Sequence, residues 1–433
     1  MELILQISPL YLGAGMLLWL ASCYWLVRNP EWIAALVLAF FFFIPALVDL
    51  ALGGRTLPTG LLVVVIFGPP LMVSLMLRRS IVHLSELFLL MGYGLCILLA
   101  ILANGLDFWQ VKSSLISPVF GLIIYLSVAS RPALYRLLWV YVLLIVVNTV
   151  FQGLQRAGFM WAYLPSERHL AQAGGFVRGI GLSGHFAMAG LYATVVFPVA
   201  ATLYVYARNW RQKLLAAGMA LLGLAGVAFA VLRAALLGAA WGGGYVLWRR
   251  RSLRALMTVV VLAITGGLVV AVAPPLREAA LAMFEHTTTL DSSAESRPFL
   301  ASMGLGAWKR SPVIGGGPNA VDRYVGHSAD PHNTFVNVLA ETGVIGLLVF
   351  LAILARAWFC ARGAIRKGYV QEGTAMAGAL LATIPVAFFH SLNYIVLFWF
   401  IPSLCLALGR LPRLQRKRPA DGVSEAARLR RAA

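Results

Sequence analysis

Long apolar runs, separated by short polar loops, recur along nearly the whole chain. Most reach the ~20 apolar residues that one helical crossing of a bilayer requires, and they lack the period-two alternation of barrel strands. The pattern predicts an all-α polytopic membrane protein with about twelve transmembrane helices. Thirteen runs are candidates, and the number is twelve if one N-terminal run does not span the bilayer. The predicted spans lie near 9–27, 32–52, 58–77, 81–104, 113–130, 137–155, 183–206, 213–231, 234–248, 255–274, 336–360, 374–391 and 394–409.

One long polar stretch divides this pattern. A helical region, 1–274, is followed by the polar insert 275–335, by C-terminal spans within 336–410 and by a basic tail, 411–433. Because the insert carries charged, glycine and proline residues between apolar spans, we expect it to lie outside the lipid. It also holds most of the residues that could carry chemistry.

Composition agrees with a membrane protein, because 61% of the residues are hydrophobic and 12% are charged, whereas about a quarter are charged in soluble domains. The net charge of +19 does not indicate nucleic-acid binding, since the basic residues occupy short loops and the tail rather than a soluble basic domain. The positive-inside rule places those loops and the tail in the cytoplasm. The loop residues are Arg78, Arg79, Arg131, Arg136, Arg208, Arg211, Lys213, Arg249, Arg250, Arg251, Arg254, Arg362, Arg366 and Lys367.

Three arginines stand in segments that should face outward, against this inward bias. Arg178 precedes one predicted span, Arg233 opens another, and Arg297 lies in the insert. An arginine near hydrocarbon costs a few kcal/mol, which favours a paired or functional role. A planar guanidinium suits phosphate because it donates to two oxygens at once. Snorkelling to lipid headgroups or pairing with acidic residues would also explain each arginine singly.

His332 is the second candidate. Asp330-Pro331 predicts a helix start, with Asp330 as the cap and Pro331 in the first turn. His332 would then lie at the N-terminus of the next span, at the boundary between water and membrane. The positive helix end and nearby arginines disfavour the imidazolium form, and a neutral ring can accept a proton from an attacking hydroxyl. A helix-start histidine bonded to the backbone explains the position equally well.

Other polar residues receive simpler interpretations. Asn333, Asn337 and Glu341 form a stripe that faces either a cavity or another helix. His185 and His390 lie in or near spans and are predicted to be structural. Residues 315–318, Gly-Gly-Gly-Pro, predict a turn, and a phosphate cradle would need a following Lys-Ser/Thr that is missing.

No metal site or cofactor is predicted. His327 and His332 are five residues apart with Asp322 and Asp330 nearby, but neither HExxH nor a histidine pair four apart is present. The four cysteines have no CxxC spacing and lie in or beside apolar runs, which predicts packing residues rather than disulfides or metal ligands. They are Cys23, Cys96, Cys360 and Cys405.

In their order and spacing, the motifs resemble the O-antigen ligase and O-antigen polymerase superfamily of bacterial envelope glycosyltransferases. The resemblance covers about 175–360, while the first half of the chain matches only in being several hydrophobic spans. One departure is Leu232, which stands before Arg233 where family members often have Ser or Thr. The resembling elements are Arg178 to Gly184, Leu232 to Leu237, Ser296-Arg297, Trp308, Pro312 to Gly317, Pro331 to Thr334, and Leu339 to Leu347.

The resemblance implies a lipid-donor glycosyltransferase of GT-C-like architecture in the Gram-negative inner membrane, with its site facing the periplasm. The donor would be a glycan on undecaprenyl diphosphate and the acceptor a lipid A–core sugar, with inversion and without a metal. Arg178, Arg233 and Arg297 would neutralise the diphosphate. His332 and Arg297 would be catalytic, with Asn333 and Asp330 in support.

Three alternatives to a ligase stay open. A polymerase uses the same donor but transfers to another lipid-linked repeat; the compact size and single dominant insert favour the ligase. A non-enzyme transporter of lipid-linked glycan would be expected to show mid-span charges and an internal repeat, and neither is evident. A protein O-glycosylating relative ranks third, because it usually has a larger periplasmic region. Oligomeric state is not predicted.

Overall fold

The computed structural model describes residues 22, 24–39, 68–71, 73–74, 83–107, 113–163, 179–183, 185–250, 277, 292–327 and 329–411. The predicted span 255–274 lies outside them, and so do most of the three N-terminal spans and nearly all of the tail.

The described residues are mainly helical. Short 3-10 turns occupy Met160–Ala162 and Val396–Trp399. The helices are α1 Leu84–Ala103, α2 Ser113–Ser127, α3 Arg131–Arg156, α4 Phe186–Tyr206, α5 Trp210–Ala230, α6 Arg233–Arg250, α7 Ser292–Arg310, α8 Ala320–Val325, α9 Thr334–Arg366, α10 Val370–Phe389 and α11 Phe400–Arg410.

Six of the described helices are long and apolar enough to cross a bilayer: α1, α3, α4, α5, α9 and α10. Shorter apolar helices cover Pro30–Ala39, Ser114–Ser127 and Leu397–Arg410. The prediction of an all-helical polytopic membrane protein is therefore confirmed. The count of about twelve helices and the GT-C-like architecture stay predictions.

Small residues bring α4, α6 and α10 close together. A Cβ added at Gly238 of α6 would lie 2.2 Å from the carbonyl oxygen of Ala382, and one at Gly242 would lie 2.5 Å from that of Gly378. These contacts make α6 antiparallel to α10. Thr194 of α4 donates to the Ala235 carbonyl at 3.1 Å. Small residues at such positions let helix backbones approach closely, so the starts of α4 and α6 meet the last turn of α10 at one end of the bundle.

The opposite end is fastened by buried glutamates that pair with arginines. Glu372 accepts from Arg131, Glu31 from Arg136, and Glu86 from Arg356 with the nearer nitrogen at 2.6 Å. A buried carboxylate needs such a partner to offset its desolvation. Two arginines predicted only as loop anchors, Arg131 and Arg136, therefore also clamp helices together.

Candidate functional site

The first residues of α9 and the loop after α10 lie side by side at the end of the bundle opposite these ion pairs. Thr334 donates through its hydroxyl to the His390 carbonyl at 2.6 Å, and the Leu392 amide donates back to the same hydroxyl at 2.9 Å. The side chain is fully buried. This exchange fixes the loop 390–394 against the start of the helix.

The predicted cap of this helix is wrong. Asn333 is the N-cap, and its side chain accepts from the Phe335 amide at 2.9 Å and the Val336 amide at 3.1 Å. Asp330 instead accepts from the His332 amide at 2.8 Å. The reason is that Asp readily bonds the amide two residues on, which forms a turn ahead of the helix. Pro331 therefore lies in that turn rather than in the first turn of α9.

His332 consequently stands just before the helix, in the left-handed region with φ 49°. A non-glycine residue there costs about 1–2 kcal/mol, a strain that surrounding contacts must hold in place. The side chain is 40% exposed, which leaves the ring accessible. Its Nδ1 lies 3.7 Å from Asp330 Oδ2, and its ring is centred 6.2 Å from that of His390.

Asp330 also receives a hydrogen bond from the loop after α10. The Ser391 hydroxyl donates to Asp330 Oδ1, the same oxygen that accepts from the His332 amide. Asp330 therefore links the backbone of His332 to the loop. Asp330 therefore contacts both the backbone and the ring side of His332. That Asp330 supports His332 in a reaction stays a prediction.

Arg297 of α7 borders the same loop. Its guanidinium carbon lies 5.6 Å from the centre of the Phe389 ring, within the range of a cation–π interaction. Helix α7 packs on the start of α9, because a Cβ at Gly304 would lie 2.5 Å from Val336 Cγ1. Phe389 directly precedes His390, so Arg297 and His332 both lie against the end of α10.

Arg233 is the first residue of α6. The antiparallel register of α6 and α10 places it at the same end of the bundle, beside the last turns of α10. Arg178 lies outside the described residues, but Gly179 directly after it is described.

Residues 183–351 match the family model described as O-antigen ligase. Over this segment, the chain is similar to the O-antigen ligase family. The predicted resemblance to the O-antigen ligase and polymerase superfamily is thus confirmed. No curated protein sequence matches the chain.

The matched segment contains five of the six predicted site residues: Arg233, Arg297, Asp330, His332 and Asn333. Arg178 lies just before the first residue of that segment. None of their roles in a reaction is tested by the match, so those roles stay predictions.

Immediately after Arg178, the backbone runs irregularly through the interior of the bundle. Gln155 of α3 accepts from the Ile180 and Gly181 amides at 2.9 and 2.8 Å, and Asn148 accepts from the Leu182 amide at 2.7 Å. Irregular backbone at membrane depth requires such internal partners. Sequence reasoning missed these α3 side chains, although polar residues inside an apolar run were the available signal.

The glycine turn at residues 315–318 fits into a break in α9. Helical geometry is interrupted at Gly343, with φ 65° and ψ −168°. The Gly316 and Gly317 amides donate to the Ala340 and Glu341 carbonyls, both at 2.8 Å. On the other side of the break, the Val344 amide donates to the Pro312 carbonyl at 2.9 Å. The two glycine amides are thus engaged with α9 rather than open to a phosphate.

Arg323 of α8 stabilises this turn from the solvent side. Its guanidinium donates to the carbonyl oxygens of Gly316 and Pro318. Burial lowers the pKa of the Arg323 guanidinium, and attraction to Glu341 and Asp322 opposes that effect. An arginine nonetheless stays charged at any physiological pH.

Within the described part of the chain, no group of three or more His, Cys, Asp or Glu side chains is placed to hold a metal ion. His390, predicted to be structural, lies beside His332, and His185 stacks on Phe186 with ring centres 4.4 Å apart. Phe186 in turn meets the His390 ring at 6.3 Å, so both histidines border the site.

Proposed function

We propose that the protein is an O-antigen ligase, which transfers O-antigen from undecaprenyl diphosphate to a sugar hydroxyl of lipid A–core. One observation carries the proposal. An accessible histidine, backed by Asp330, and the guanidinium of Arg297 lie against the same end of α10, and all three belong to the segment that matches the O-antigen ligase family.

The arginines bind the leaving group. Cleavage of the bond between the anomeric carbon and the diphosphate oxygen leaves both electrons on that oxygen. Arg297 and Arg233, joined by Arg178, neutralise the charge as it develops. Guanidinium groups provide fixed, planar donors for this purpose, so the mechanism uses no metal ion.

His332 takes the proton. The acceptor hydroxyl oxygen attacks the anomeric carbon from the face opposite the diphosphate, its proton passes to Nε2, and the anomeric configuration inverts. Because Nδ1 faces the Asp330 carboxylate, Asp330 stabilises the imidazolium that forms. A positioned base of this kind contributes about 10²–10⁴-fold to a rate.

The distribution of basic residues indicates how the protein is oriented in the membrane. The end of the bundle rich in basic loops faces the cytoplasm by the positive-inside rule. The site end and the insert 275–335 then face the periplasm, where both lipid-linked substrates would be available at the inner membrane surface.

Complementation in cells tests the proposal. A ligase-null strain that makes donor is transformed with wild type, His332→Asn or empty vector, and its lipopolysaccharide is resolved on gels. We expect a ladder from wild type only. Asn is the matched variant because it tolerates the left-handed backbone of position 332.

Other outcomes separate the alternatives. Growth of donor glycan from one repeat to many in a polymerase-null strain, without a ladder in the ligase-null strain, would identify a polymerase. A change in donor distribution across the membrane without any change in its linkage would identify a transporter.

A further inference from the structure

Glu341 is a buried carboxylate that the proposed reaction does not use. It lies two residues before the break at Gly343 in α9 and is 3% exposed. Among the described residues, its hydrogen-bond partners are all uncharged: the Asn319 amide at 2.8 Å, the Asn393 side chain at 3.1 Å and the Tyr394 hydroxyl. Burying a carboxylate is costly unless donors compensate it, so these donors indicate a specific role.

These partners join three separate segments. Asn319 follows the glycine turn of the insert, Glu341 belongs to α9, and Asn393 and Tyr394 belong to the loop after α10. Asn337, one turn before Glu341, donates to Asn393 Oδ1 at 3.1 Å and to the Tyr394 hydroxyl at 2.8 Å. The predicted polar stripe thus faces this loop. We call the group of Asn319, Asn337, Glu341, Asn393 and Tyr394 the carboxylate clasp.

The loop held by the clasp leads directly to His332. Two residues before Asn393, Ser391 donates to Asp330, which accepts from the His332 amide. His390, at the start of the loop, lies against the His332 ring. His332 occupies a strained backbone conformation, and such a conformation persists only where its surroundings fix it.

We propose that Glu341 is a positioning residue for His332, acting through the carboxylate clasp, the loop 390–394 and the bond from Ser391 to Asp330. This inference rests on the proposed function. A displacement of about 1 Å at a reacting group costs about 10²-fold in rate, so loosening the clasp slows transfer without removing any group that touches substrate.

Two variants open the clasp. Glu341→Gln keeps the shape but places an amide donor among groups that all donate, and Tyr394→Phe removes a single hydroxyl. Glu86→Gln is the matched control, because Glu86 is also a buried carboxylate but pairs with Arg356 at the opposite end.

The first readout does not depend on activity. Hydrogen–deuterium exchange is followed for peptides that cover 329–334 and 388–395 in the full-length protein. We expect faster exchange in both peptides for Glu341→Gln and Tyr394→Phe, and wild-type exchange there for Glu86→Gln. Unchanged exchange in both clasp variants would show that the clasp does not hold the loop 390–394 and His332 in place. If Glu341→Gln does not fold, Tyr394→Phe alone provides the test.

The second readout is transfer per folded protein. We expect kcat to fall about 10- to 100-fold in the clasp variants with donor KM nearly unchanged, and to stay at wild type for Glu86→Gln. Adding Ser391→Ala to Tyr394→Phe should cost less than the two separate effects combined, because both act through one path. Faster exchange with wild-type kcat would overturn the positioning role. If the wild-type protein transfers nothing, the proposed function is refuted. The exchange experiment would still test whether the clasp holds the segment around His332.

Discussion

Replacing Gly343 with alanine tests how the insert is docked on the membrane helices. With φ 65° and ψ −168°, this residue occupies a region of backbone space that is essentially restricted to glycine. An alanine Cβ would also lie 2.2 Å from the Val313 carbonyl oxygen. Because that contact is with backbone, no side-chain rotation relieves it, and the glycine turn must move away from α9.

The size of the effect follows from two contributions. The backbone strain costs about 1–3 kcal/mol. Displacing the turn weakens the bonds from Gly316, Gly317 and Val344 across the break, each worth about 1 kcal/mol. We therefore expect Gly343→Ala to lose roughly 2–6 kcal/mol of stability, concentrated where the insert meets α9.

Thermal unfolding of the purified protein in detergent measures this loss, with limited proteolysis of the insert as a local readout. Gly94→Ala is the control: Gly94 lies in α1, nothing surrounds its Cβ position within 4 Å, and alanine favours a helix by about 1 kcal/mol over glycine. We expect a lower melting temperature and faster cleavage for Gly343→Ala only. If both variants melt and resist protease like wild type, the account of the break is refuted.

Two further substitutions test the site. Arg297→Lys keeps the charge but loses the two-pronged donor, so transfer should fall about 10- to 100-fold; full activity in the ladder assay would indicate that a simple point charge suffices. Gln155→Leu leaves the buried amides of Ile180 and Gly181 without an acceptor, at about 1–3 kcal/mol each. We expect it to lower both thermal stability and transfer, and an unchanged melting temperature would argue against that support for the segment after Arg178.

Much of the architecture was predictable because hydrophobic run length directly reflects bilayer crossing. The predicted spans 81–104, 183–206 and 374–391 agree with α1, α4 and α10 to within a few residues. The position of His332 beside the start of a span followed from the polar sequence before it, although the helix begins after His332 rather than before it. Its left-handed backbone did not, since Asp330 and Asn333 are both good caps and local sequence does not decide between them.

The break in α9 and the position of His390 were not predicted, because both depend on contacts between residues far apart in the sequence. The run 336–360 reads as one continuous helix, and its break depends on the Pro312–Gly317 turn filling the gap at Gly343. His390 was dismissed because nothing local connects it with His332; Thr334 and Ser391 bring them together through contacts between residues far apart in the chain.

The most direct test of the central claim is transfer by the purified protein in lipid nanodiscs. Undecaprenyl-diphosphate-linked glycan and lipid A–core are supplied together, and glycosylated lipid A–core and released undecaprenyl diphosphate are measured for wild type and His332→Asn. We predict equal amounts of the two products from wild type, and about 10²–10⁴-fold slower transfer by a His332→Asn protein that melts at the wild-type temperature. Wild-type rates in that variant, or no transfer by well-folded wild type, would contradict the account.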